Sequence, residues 1–150
     1  MTEKEKAREL FLEGYNCSQS VFVAFSHRFG IDESTAKKIS AGLGGGLGRQ
    51  REVCGAVSAA AMVLGDAAAA QDGADQKTKK ENYELVREFC DRFREKHGSI
   101  ICREILMESE KNTGAAPDER TAEYYKKRPC LQAVEDSAEI LIQMLSEKGR

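Results

Sequence analysis

The stretch 77-KTKKENYELVREFCDRFREKH-97 decides the fold class. Val86, Phe89, Cys90, Phe93 and His97 fall at helical spacing, so they share one stripe. The positions between them are mostly charged, which suits a face turned to water. Gly98 follows at the place where a helix stops. The segment is an amphipathic helix, and the rest of the chain repeats its grammar.

Working outward, a first helix is expected from Thr2 to Glu13, with Ala7, Leu10 and Phe11 inward and Gly14 as its end. Asn16 reads as an N-cap, with Gln19 three residues on completing a capping box. That second helix is expected to reach Phe29 and stop at Gly30. Asp32 caps a third helix, Glu33 to Ala41. Gly42, Gly44, Gly45, Gly46 and Gly48 then crowd a few positions. A helix interior pays about 1 kcal/mol per glycine relative to alanine, so this is a loop. Its amides and Arg49 and Arg51 are able to cradle an anion, but no Gly-Lys-Ser/Thr follows, and close backbone packing beside Cys54 is the simpler expectation.

The fourth helix is expected from Val53 to Ala70, with a polar loop at Gln71 to Gln76. Ser99 caps a short helix through Met107. Glu108 to Arg128 reads as loop with one helical turn. Pro129 opens the last helix, where Val134, Ala138, Leu141 and Leu145 face inward. Alternating strand patterns are missing. The expectation is an all-α, single-domain bundle of about six helices with a glycine-rich loop, residues 1–150.

Composition narrows the function. At 150 residues the chain is long enough for one core. Net charge is -2, against the basic excess of nucleic-acid binders. Lys77, Lys79 and Lys80, and Lys126, Lys127 and Arg128, read as solvated surface. The start Met1-Thr2-Glu3-Lys4-Glu5 is no secretory leader. The weakly polar run Val53 to Ala70 is shorter than the ~20 residues of a membrane span. A soluble, cytoplasmic protein without membrane insertion is expected.

Five cysteines remain to be explained. Cys17 follows the Asn16 cap, Cys54 opens the fourth helix, Cys102 follows Ser99, and Cys130 follows Pro129. All four thus sit at expected helix starts, where free N–H groups and the helix dipole favour a thiolate. Each also heads an apolar stripe: Cys17 with Val21 and Phe25, Cys54 with Val57, Ala61 and Leu64, Cys102 with Ile105 and Leu106, Cys130 with Val134, Ala138 and Leu141. They point inward and meet if the helix starts meet. Cys90 is mid-helix among Phe89 and Phe93 and reads as packing. Cys54, after the glycine loop and near Arg49 and Arg51, is the expected most reactive thiol. His27 and His97, near helix C-termini, read as structural.

The segments Gly14-Tyr15-Asn16-Cys17-Ser18-Gln19, Glu52-Val53-Cys54-Gly55-Ala56 and Gly98-Ser99-Ile100-Ile101-Cys102-Arg103-Glu104, with Cys130 before the last helix, carry a resemblance over nearly the whole chain. The order of cysteines resembles the redox-active protein family labelled C_GCAxxG_C_C. One departure is Ala59, where the family pattern has glycine, which implies slightly looser helix packing. The resemblance implies redox activity without a defined substrate. A related domain occurs in some haem proteins, but no Cys-x-x-Cys-His is present, so haem is not carried over.

Three functions stay open. Cys17, Cys54, Cys102 and Cys130 run thiol–disulfide chemistry with a redox partner protein or a small thiol, which makes the protein a candidate thiol–disulfide oxidoreductase. Alternatively the same four thiolates bind zinc or an iron–sulfur cluster. The third reading is a non-catalytic helical interaction module.

Overall fold

The computed structural model describes residues 1–68 and 73–149. Among these are eight α-helices: α1 (Glu3–Leu12), α2 (Cys17–Phe25), α3 (Glu33–Ser40), α4 (Gly55–Ala68), α5 (Gln76–His97), α6 (Cys102–Ile105), α7 (Ala122–Lys127) and α8 (Cys130–Glu147). The fold is all-α, as the periodicity required. The count exceeds about six because the short helix expected after Ser99 stands as α6 and the helical turn expected within Glu108 to Arg128 stands as α7.

Local chemistry sets most boundaries. Thr2 and Asn16 each form a capping box, with Glu5 and Gln19 respectively. Asp32, Asp75 and Thr121 accept from the amides of Thr35, Thr78 and Tyr124, fixing the starts of α3, α5 and α7. Gly98 closes α5 at φ 80°, a left-handed cap. Several boundaries differ from expectation: α6 spans only Cys102–Ile105 with Ile101, not Ser99, in the cap position and no side-chain cap bond, and Pro129 stands one residue before α8. The helix from Cys17 ends at Phe25 and tightens into a 3-10 turn at Ser26–Arg28, where Ser26 Oγ donates to Val23 O. Helix α4 begins at Gly55, one residue after Cys54. The expected end of that helix at Ala70 lies outside the described residues.

Helix α4 is central, packing against α2, α5 and α8, while α1 lies across α2 and α8. The small buried residues Ala56, Ala59 and Ala60 let neighbours approach its axis. Phe11, Phe25, Phe89, Phe93, Leu64, Ile140 and Leu141 fill the core. Each such side chain contributes about 1.5–3 kcal/mol by leaving water. Ser137 Oγ donates to Ala56 O at 2.9 Å and ties α8 to the first turn of α4. The starts of α2, α4 and α8 thereby come to one end of the bundle. No described helix is long and apolar enough to cross a membrane.

Candidate functional site

Two segments distant in sequence are pinned together first. Val53 and Ile101 form an isolated antiparallel bridge. Cys54 N donates to Ile100 O at 2.8 Å, and Cys102 N donates to Glu52 O at 2.6 Å. The bridge sets Cys54 opposite Ile100 and Cys102 opposite Glu52, so the starts of α4 and α6 meet at one place. Cys17 and Cys130 are the first residues of α2 and α8. All four cysteines line one cavity of about 70 Å³. Cys90 does not line it.

Residues 44–51 wrap Cys17 from the other side. Gly45, Gly46 and Gly48, and also Leu47, Arg49 and Arg51, have positive φ. Three non-glycine residues in that region are strained backbone held by tertiary contacts. Gly45 has φ 65°, and a Cβ there would stand 2.9 Å from Arg49 Cα. It turns its N–H toward Cys17. Gly55 is needed for a different reason: a Cβ on it would lie 2.5 Å from Cys17 Sγ. Only a residue without a side chain lets the sulfur reach the start of α4.

Cys17 Sγ is seated against the start of α4, and the Cys54 thiol and the amides of Gly45, Ser18 and Gly55 favour its charged form. The Cys54 hydrogen bond is the largest cause of a thiol pulled down to about 6, with burial opposing it. Hydrogen bonds to the charged form stabilise a thiolate. Cys54 is its counterpart: donating to Cys17 and buried, it keeps its proton well above the ordinary thiol range. Cys54, expected as the most reactive thiol, is thus the buried member of the pair. Burial removes its access, and its proton serves the neighbouring sulfur. Burial likewise raises Cys102, opposed by Arg51, whose Nη1 is 3.8 Å from Cys102 Sγ. Burial and the proximity of Cys17 push Cys130 up to about 12.

The cavity also holds groups that composition concealed. Arg51, Arg120, Arg128 and Tyr124 line it, and no carboxylate does. Arg128 was expected on the solvated surface. It is instead buried, 2.7 Å from Glu110 Oε1 and 2.8 Å from Asp118 Oδ2. Asp118 also takes Arg49 at 2.6 Å, and Arg49 donates to Asn112 and Gly114 O as well. Arg120 has a different environment. It donates to Phe11 O at 2.7 Å and Tyr15 O at 2.9 Å, with its Cζ 4.1 Å from the Phe11 ring centre. Its signal in the sequence was nil, because one arginine in a polar loop looks like any other. His97 and His27 pair with Asp136 and Glu3, away from the cavity.

All five thiols are free, so no disulfide is formed in this state. Among the described residues no three His, Cys, Asp or Glu side chains come together in a set able to hold a metal ion. The four cysteines share a cavity wall without converging on one point, which does not fit the zinc or iron–sulfur alternative.

No curated protein and no solved structure matches this chain. One family model does, over residues 15–144, which includes all four cavity cysteines, under the description "putative redox-active protein (C_GCAxxG_C_C)". With most of its length matched, the chain belongs to the C_GCAxxG_C_C family.

Proposed function

We propose that this protein is a thiol–disulfide redox protein in which Cys17 is the attacking thiolate and Cys54 the resolving thiol. One observation carries the reading: a half-buried sulfur packed onto the Cβ-less Gly55 in the cavity it shares with Cys54, where the Cys54 thiol and three backbone amides lower its pKa. Packing alone does not select that donor set, whereas a nucleophile needs it. The substrate is a disulfide, brought by a redox partner protein or a small thiol compound. The Cys17 thiolate attacks one sulfur of R–S–S–R, forming a mixed disulfide and releasing one RS⁻, which takes a proton from water. Cys54 then loses its proton and attacks Cys17 Sγ. The Cys17–Cys54 disulfide forms, the second RS⁻ leaves, and the substrate has gained two electrons from the dithiol. Cys102 and Cys130, protonated on the same cavity, exchange with that disulfide once deprotonated.

The test is anaerobic reduced protein mixed with a small disulfide, quenched with acid and mapped by peptide mass spectrometry. A Cys17 mixed disulfide followed by a Cys17–Cys54 linkage is expected. An unchanged rate of disulfide consumption in Cys17→Ser sinks the proposal.

A further inference from the structure

We propose that the small molecule reaching Cys17 is an anion, a short aliphatic disulfide bearing a carboxylate, and that Arg120 seats it. This rests on the thiol–disulfide reading and names the substrate class of the same site. Three observations carry it. The cavity is lined by three arginines and no carboxylate, so its interior favours negative charge. Arg51 and Arg128 are partly answered by Asp118, at 3.8 and 2.8 Å, and Arg128 also by Glu110. Arg120 has no carboxylate partner among the described residues.

The hydrogen bonds of Arg120 make the point sharper. A guanidinium has five N–H donors. Nη1 serves Phe11 O and the Tyr125 hydroxyl, and Nη2 serves Tyr15 O. Nε–H and one Nη2–H have no protein acceptor among the described residues. The group is nonetheless held in place, lying over Phe11 and 5.1 Å from the Tyr124 ring centre. It lines both the thiol cavity and the adjoining open groove beside Gly44, Gly45 and Asp118. A ligand passing from the groove to Cys17 meets it on the way. Asp118, bound among Arg49, Arg51 and Arg128, shows that a carboxylate fits this chemistry. Ile105, Leu106 and Ala133 offer the apolar wall that a two- or three-carbon arm needs.

Matched alkylating agents test this without a disulfide substrate. In both, the Cys17 sulfur displaces iodide and forms a C–S bond; iodoacetate is anionic and iodoacetamide neutral. Rates at Cys17 are followed by peptide mass spectrometry, with 2-mercaptoethanol as the reference thiol. The expected iodoacetate-to-iodoacetamide ratio at Cys17 exceeds the reference ratio by about tenfold. It falls with added salt and falls toward the reference in Arg120→Gln, while Arg120→Lys retains part of it. If Arg120→Gln does not fold, protection of wild-type Cys17 against iodoacetamide by inorganic sulfate gives the same reading. A wild-type ratio equal to that of the free thiol, or one unmoved by Arg120→Gln, overturns the anion site and leaves the redox proposal standing. A Cys17 inert to both reagents overturns the redox proposal and this inference together.

Discussion

Cys54 and Cys90 are almost equally buried, at 7% and 8% exposed, yet they stand in regions of opposite character. Cys90 is inside α5, where every amide around it is already bonded along the helix, and its neighbours are Phe89 and Phe93. Burial raises its pKa and nothing uses its proton. Cys54 stands before α4, at an end of the bundle where the amides of Ser18 and Gly55 at helix starts, and of Gly45 in the 44–51 turns, are directed to the neighbouring sulfur of Cys17. There the same burial makes a donor of one sulfur and an acceptor of the next. Burial alone therefore does not decide what a cysteine does. The unpaired donors at helix starts do.

That contrast can be broken most severely at Gly55. In Gly55→Ala the new methyl meets Cys17 Sγ at 2.5 Å. The sulfur must leave its cradle, and overpacking costs about 1–3 kcal/mol. Loss of the fast alkylation of Cys17, with a lower midpoint in urea unfolding, is the expected result. Full retention of Cys17 reactivity shows that the close approach is not needed.

The pH dependence sharpens the comparison next. The Cys17 thiolate forms as pH rises through about 6, so its alkylation rate climbs between pH 5 and 7 and then levels. Cys54→Ala removes the largest cause of that lowering. The midpoint then moves up toward the ordinary thiol value, and the thiolate at neutral pH drops by about tenfold. An unchanged midpoint transfers the whole effect to the backbone amides. Asn16→Ala is expected to act more gently. It removes the cap of α2, worth about 1 kcal/mol, and loosens the turn that presents Cys17. Thermal melting read beside the Cys17 alkylation rate separates the two losses.

Cys90→Ala has the smallest effect on the site. Lost packing costs about 1 kcal/mol of stability, seen in chemical denaturation. The Cys17 alkylation profile should superimpose on that of the wild type. A displaced profile would join the two regions that burial and position separate.

Much of this was legible residue by residue. Capping boxes at Thr2 and Asn16, and the stop at Gly98, are local rules acting over three or four positions, and they hold. The reading of Cys17, Cys54, Cys102 and Cys130 as a group also came from local signals, since each lies at a helix start. Ala122–Lys127 was visible only as a helical turn in a polar stretch, because a short helix carries too little apolar pattern to register. Arg128 was misread as solvated because its partners, Glu110 and Asp118, are ten or more positions away.

The sequence by itself determined the all-α class, the long helices and the placing of four thiols at helix starts, because period, caps and breakers act through neighbours along the chain. Only the tertiary structure decided that the Cys17 thiol is pulled down while burial pushes Cys54 up, that the Val53–Ile101 bridge brings the starts of α4 and α6 together, and that Arg120 lines the thiol cavity without a carboxylate partner among the described residues. Those outcomes depend on which groups meet across dozens of residues, and on a missing Cβ at Gly55 that lets one sulfur reach another element's amides. Hydrogen-bond donors are assigned by proximity in space, and no pattern along the chain encodes that proximity.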